Sequence, residues 1–327
     1  MRSTAPAPWL RTLCVVSGAL LFPACFGPFP RSSEGFQCDA SHACSPGLLC
    51  EHAVCREPDP QPVQPWRLAT YLGTYPEAWS AGTPQTPTLG RYASVDAAVI
   101  SEHLAALKYG HFSAGLFSWD GPGSASDQAL KAALTQSPGS GFHWAVWAQQ
   151  ALDSPVDATV AGTTLTALSK LALAESSFLR FAGRPVVFID SPDSADPCAV
   201  AAAWIPASRA QSPPLYLVVR ATRTAAAYTV CADIPDAWYQ VASGGSVARG
   251  DSYSISPGFQ LAGKPATIAR ELAGWSAQTQ AMVGSGVKLE LVTSFNDWAR
   301  GTEVEGAAEW ASDSGYGAYL DVLHAAP

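Results

Sequence analysis

The chain has 327 residues, 48% of them hydrophobic and 14% charged, a balance that supports one large core and excludes an intrinsically disordered protein. Its formal net charge is -8, and without Arg2 and Arg11 of the N-terminal leader it becomes -8 - 2 = -10. Nucleic acid is therefore not an expected partner, because such binding needs Lys and Arg set against phosphates.

Residues 1–25 combine a basic start with an apolar run over 13–22, which reads as a secretory signal and is too short to span a bilayer. In Leu21-Phe-Pro-Ala-Cys25 the cysteine loosely fits a lipobox, in which Cys25 is lipidated and becomes the first mature residue; an ordinary signal peptide cut nearby is the alternative. Either way the chain is expected to be exported, as a cell-envelope lipoprotein held to the membrane by that lipid or as a secreted protein.

Cysteine usage agrees with export. Cys38, Cys44, Cys50 and Cys55 fall in a segment, 26–56, with too little apolar content to fold by burial alone, so two disulfides are the economical reading. Three pairings are open. Zinc competes for the same cysteines, although their spacing lacks the close C-x2-C pairs of zinc modules. Cys198 and Cys231 are expected to pair across neighbouring loops. Residues 57–65, Glu57-Pro-Asp-Pro-Gln-Pro-Val-Gln-Pro65, form a proline-rich linker expected to be extended and to hold the following domain, 66–327, away from the module.

Beyond the linker, short apolar strands are predicted over 68–74, 113–119, 142–147, 186–189, 215–220, 238–241, 253–256 and 289–295. Helical segments are predicted over 96–107, 126–134, 159–181 and 316–323. Eight strands in βα alternation over roughly 260 residues point to an α/β fold, a (β/α)8 TIM barrel. An open doubly wound sheet is the alternative, and no Gly-x-Gly-x-x-Gly fingerprint follows the first strand to support it.

The eighth strand runs into Thr293-Ser-Phe-Asn-Asp-Trp-Ala-Arg-Gly-Thr-Glu-Val-Glu305. This stretch resembles the Asn-Glu-Trp-x-Glu-Gly-Thr-x-Ile-Glu signature of the endo-α-mannosidase-like glycoside hydrolases of families 71 and 99 and their lipopolysaccharide-associated relatives. Three further segments are similar to that family in the same chain order: Ala114-Gly-Leu-Phe-Ser-Trp-Asp120, Phe178-Leu-Arg-Phe-Ala-Gly-Arg-Pro-Val-Val-Phe-Ile-Asp190 and Ser254-Ile-Ser-Pro-Gly-Phe259. The resemblance implies a barrel that acts on a polysaccharide or glycan, with both catalytic carboxyls drawn from the Glu-x-x-Glu pair. The matching positions are Asp297 and Arg300. Asp297 keeps a carboxylate about 1.5 Å shorter in reach, one carbon–carbon bond. Arg300 stays charged at any working pH and serves neither as acid nor as base.

A relocated acid is therefore sought. Glu303 is the nearest substitute, against a plainer reading as a solvated loop carboxylate or a partner for Arg300; Asp120 and Asp190 are the other candidates at strand ends. Glu305 matches the family's motif-closing glutamate and reads as a loop-fixing residue. Tyr71, Trp119, Trp147, Gln149, Arg220, Tyr239, Asn296, Trp298 and Arg300 are expected to line a sugar site with aromatic faces and planar polar groups. Trp144 is expected to be core. The six histidines show neither i, i+4 pairing nor grouping with carboxylates, so neither a metal nor a cofactor is expected. Two functions remain in view: an active glycoside hydrolase, and a glycan-binding surface protein that has lost catalysis.

Overall fold

A computed structural model describes residues 34–39, 41–46, 48–51, 53–57, 59–221 and 230–326. The leader and Cys25 lie outside the described residues. The cysteine-rich segment carries an antiparallel hairpin of β1 (Leu49–Glu51) and β2 (Val54–Arg56). Of the three pairings, the structure contains Cys38–Cys50 and Cys44–Cys55.

The linker is not a spacer. Asp59 Oδ2 accepts from Gly139 N (2.9 Å), Gln61 Oε1 accepts from Arg180 N (2.7 Å), and the Pro62 carbonyl accepts from Trp66 Nε1 (3.0 Å). Glu51 of β1 is buried and accepts from Ser176 N and Oγ at 2.8 and 2.9 Å. A buried carboxylate is tolerable only when hydrogen-bonded in this way. Together these contacts seat the hairpin and linker against the start of the barrel strands.

All eight expected strands form. They are β3 (Trp66–Tyr71), β4 (Ala114–Trp119), β5 (His143–Ala148), β7 (Arg184–Ile189), β8 (Tyr216–Arg220), β9 (Ala237–Tyr239), β11 (Ser252–Ser256) and β12 (Leu289–Val292), each parallel to its neighbour along the order β11-β12-β3-β4-β5-β7-β8-β9. Period-two alternation sorts their side chains. Leu68, Leu116, Phe188, Val218 and Leu291 fill the barrel interior, while Ala69, Phe117, Ile189, Val219 and Val292 face the helices. Gly115 on β4 is required by this packing, since a Cβ there would stand 2.2 Å from the Trp144 ring. Trp144 is buried core, as expected.

Among the described residues, the barrel departs from eight βα units at the seam between β9 and β11. No full ladder joins β9 to β11; Asp251 N bonds the Trp238 carbonyl (2.9 Å), and Ser252 and Ser254 hydroxyls accept from Gln240 N and Ala242 N at 3.0 and 2.9 Å. A strand, β10 (Gly245–Arg249), antiparallel to β11, stands where a helix is expected between the sixth and seventh strands. The sheet is thus a nearly closed barrel rather than a complete (β/α)8.

Around it lie α1 (Ala97–Tyr109), α2 (Ala125–Gln136), α3 (Ala158–Ala174), α4 (Pro197–Arg209), α5 (Leu272–Val283) and α6 (Ala318–His324). Side chains of Asp96, Ser124, Asp157 and Asp196 cap the first four, accepting from backbone N–H groups that have no intrahelical partner. The helical run expected over 159–181 ends early. After Ala174 the chain turns extended, and β6 (Arg180–Phe181) pairs antiparallel with β7 around Ala182 and Gly183, both at positive φ. Cys198 at the start of α4 is joined to Cys231 in the segment leading to β9.

Candidate active site

Strand parity builds the site. One inward step beyond the interior cluster come Thr70 on β3, Ser118 on β4, Trp147 on β5, Asp190 after β7 and Arg220 on β8, all on the wall of a cavity of about 320 Å³ at the C-terminal ends of the strands. That is the end at which barrel enzymes place their chemistry. The segment after β12 closes the cavity with Thr293, Ser294, Asp297, Arg300 and Thr302, and Gln149 and Phe259 complete it.

The loop that carries Asp297 is held by its own backbone. Ser294 N bonds the Thr302 carbonyl (2.7 Å), Glu305 N bonds the Phe295 carbonyl (2.9 Å), and Asp297 N donates to Ser294 Oγ (2.8 Å). Gly301 makes the return at φ 57°, where a Cβ would lie 2.8 Å from the Gln260 carbonyl oxygen.

Two arginine–carboxylate pairs dominate the electrostatics. Arg300 Nη1 donates to Asp297 Oδ2 at 2.7 Å. Arg220 Nη1 donates to Asp190 Oδ1 at 3.0 Å and uses its other nitrogens on Gln240 and Asp193. Asp190 is buried, and that burial pushes its carboxyl above the usual range against the opposing pull of Arg220. Asp297 holds the Arg300 guanidinium more firmly charged than usual, with a smaller contribution from Asp190.

Of the expected site residues, the structure gathers Tyr71, Asp297, Asp190, Trp147, Gln149, Arg220 and Arg300 on the cavity. The remaining expectations are corrected. Trp119 faces the helix layer and donates from Nε1 to Asp127 (3.0 Å). Asp120 lies off the cavity and accepts from Ser126 Oγ (2.9 Å) at the start of α2. Tyr71, on the cavity lining, turns its hydroxyl away to His103 Nδ1 (2.8 Å). Tyr239 is buried beneath Trp147, whose Nε1 donates to its hydroxyl at 2.7 Å. Asn296 is buried and clasps the Leu72 backbone, accepting from its N–H at 2.7 Å and donating to its carbonyl at 3.0 Å. Trp298 is buried and donates from Nε1 to Glu305 (3.0 Å).

Glu303 is neither solvated nor paired with Arg300. It is buried outside the cavity lining, 3.3 Å from Arg270 Nη1, and burial pushes its carboxyl up to about 8 with Arg270 opposing. Arg270 also bonds the carbonyls of Gly301 (3.0 Å) and Glu303 (2.6 Å), and its guanidinium lies between the rings of Trp310 and Tyr319, at 4.0 and 4.3 Å. Glu305 fixes the loop from behind, accepting from Tyr92 and Trp298 beside His103.

The hydroxyls of Thr70, Ser118, Thr293 and Thr302 escaped notice in the sequence, although each sits at the inward parity of its strand or in the returning loop. Among the described residues, Cys38, Cys44 and Cys50 are the group close enough to share an ion, and their sulfurs are engaged in disulfides. The cavity therefore offers hydroxyls, amides, an aromatic wall and two charge pairs, a lining suited to a polyol.

No protein-family model matches the chain, and no curated protein does. Solved structures do. The GH99 endo-alpha-mannosidase from Bacteroides thetaiotaomicron in complex with bis-tris-propane is similar at TM-score 0.64 and 15% identity, over 80% of this chain and 96% of that one. This chain shares its fold. A second structure of that enzyme gives TM-score 0.63 at 15% identity over 81% and 97% of the two chains, and a glycoside hydrolase-like protein gives 0.61 at 17% over 81% and 94%. The likeness in fold falls on the family that the eighth-strand motif resembles.

Proposed function

We propose that this protein is an exported, glycoside hydrolase-like glycan-binding protein whose cavity holds a short stretch of polysaccharide without cleaving it. The observation that carries this reading is the pairing of both cavity carboxylates, Asp297 and Asp190, with arginine. Glycoside hydrolysis calls for one carboxyl that gives up a proton and one that attacks or activates water. Asp297 and Asp190 each have an oxygen already bonded to a guanidinium, and the position that resembles the family's acid is Arg300, which neither gives up nor accepts a proton at a working pH. Recognition needs none of this: the hydroxyls, Gln149 and the Trp147 face suffice to bind sugar.

Hydrolysis through Asp190 is a second reading, favoured by the burial that raises its carboxyl. Both are tested by presenting the purified protein with α-mannan, α-glucan and other polysaccharides and following binding and reducing ends together. Binding with no release of reducing ends is expected. Release that disappears in Asp190→Asn would establish the hydrolase instead.

A further inference from the structure

We infer that the glycan bound in this cavity carries a carboxylate, as a uronic acid does, and that Arg300 is the residue that selects it. The inference rests on the reading of the cavity as a glycan site. Beside Arg220, Arg300 is one of two arginines on the cavity wall among the described residues. Its guanidinium lines the cavity with 63% of the side chain exposed, whereas Asp297 is only 13% exposed. Among the described residues its one side-chain hydrogen bond runs from Nη1 to Asp297 Oδ2.

The Nε–Nη2 edge of Arg300 is thus available, and that edge presents two parallel N–H groups, the geometry that grips a planar carboxylate with two bonds. The other cavity arginine is not available in the same way, since Arg220 is already bonded to Asp190, Ser191, Asp193 and Gln240. Asp190, the second carboxylate on the wall, is matched by Arg220, and the remaining polar neighbours of Arg300 on the cavity, Thr302, Ser294 and Gln149 among them, are neutral. An acidic sugar therefore meets one unsaturated cation. A neutral sugar leaves that edge to water.

The test compares binding of uronic-acid oligosaccharides, such as oligogalacturonide and oligoalginate, with α-mannan, α-glucan and a sulfated galactan, by calorimetry at low and high salt. A uronate is expected to bind most tightly, and to bind about 10- to 100-fold more weakly to Arg300→Gln, the scale of a charge-assisted bond pair. Arg300→Lys keeps the charge but loses the fork and is expected to recover only part of that affinity. Circular dichroism of each variant separates this loss from unfolding. Tighter binding of a neutral or sulfated glycan, or a uronate affinity that Arg300→Gln leaves unchanged, would overturn the inference while the glycan site stands. Failure of every glycan to bind would remove both.

Discussion

Arg300 Nη1 reaches Asp297 Oδ2 at 2.7 Å across three residues of one loop, with the aspartate set into the wall and the arginine spread over the rim. With its arginine 63% exposed, the pair is screened from that side and contributes about 1 kcal/mol or less to folding. Asp297→Ala is therefore expected to keep its thermal stability, which can be checked by calorimetric melting. Its effect should appear in binding instead. With the competing carboxylate gone, Arg300 is free for an acidic ligand, whose affinity should rise, while a neutral glycan loses an acceptor and should bind less well.

Glu303 sets the sign of a pH effect. Its carboxyl rises from 4.5 to about 8 on folding, so the native protein holds a proton that the unfolded chain has released between these values. Stability from this group is complete below pH 4.5 and falls as pH climbs toward 8, opposite to the usual behaviour of a paired carboxylate. Glu303→Gln removes the titration. Melting temperatures of the two proteins, followed from pH 4 to 9, should diverge in favour of the variant as pH rises; parallel curves would rule the effect out.

The eight strands were legible because buried β-structure writes an apolar run bounded by turn residues, as in Gly-Arg-Pro before Val186–Ile189. The end of α3 was not. Apolar residues recur past Ala174 at Phe178, Leu179 and Phe181, and tertiary contacts, the bonds of Ser176 to Glu51 and the bridge of Phe178 to Trp144 on β5, take the chain out of the helix. Strand β10 was hidden for the opposite reason, since Gly245–Arg249 pairs through its backbone while burying little. At the site, strand-end position identified Asp190, Trp147 and Arg220, whose side chains share the inward parity. Parity applied consistently would have excluded Trp119, which sits one residue out of phase and is not on the cavity. The place of Glu303 depends on Arg270, a partner 33 residues distant held between two rings, and no local pattern reveals that.

The Cys198–Cys231 bridge ties the start of α4 to the segment that precedes β9, flanking the strands that supply Asp190 and Arg220. A sequence separation of 33 closes a loop whose loss from the unfolded chain is worth about 2–4 kcal/mol. The double variant Cys198→Ser, Cys231→Ser is expected to lose stability on that scale in chemical denaturation. Glycan affinity should fall as well, because the start of α4 and Cys231, in the segment before β9, are then no longer tied together. An unchanged midpoint would show that the bridge restrains little.

Glu305 links the loop to the helix layer, and its replacement should be the most costly of these changes. One oxygen lies 3.0 Å from His103 Nε2; the other accepts from Tyr92 at 2.7 Å and from Trp298 at 3.0 Å, all in a buried setting. Alanine would leave the Tyr92 hydroxyl proton and His103 Nε2 without this partner and Trp298 Nε1 with only its 3.2 Å bond to the Tyr92 hydroxyl, and buried groups so deprived carry a desolvation penalty. Loss of about 3 kcal/mol is expected for Glu305→Ala by urea unfolding, the scale of leaving buried hydrogen-bonding groups unsatisfied. Glu305→Gln retains an acceptor for Tyr92 or Trp298 but removes the charge beside His103, so its cost should be smaller. Because Trp298 and Asn296 follow the same backbone turn as Asp297, the variant that folds should also bind glycan less tightly although Glu305 is not on the cavity wall. Affinity that survives in a destabilised Glu305→Gln would show that the loop keeps its shape without this anchor.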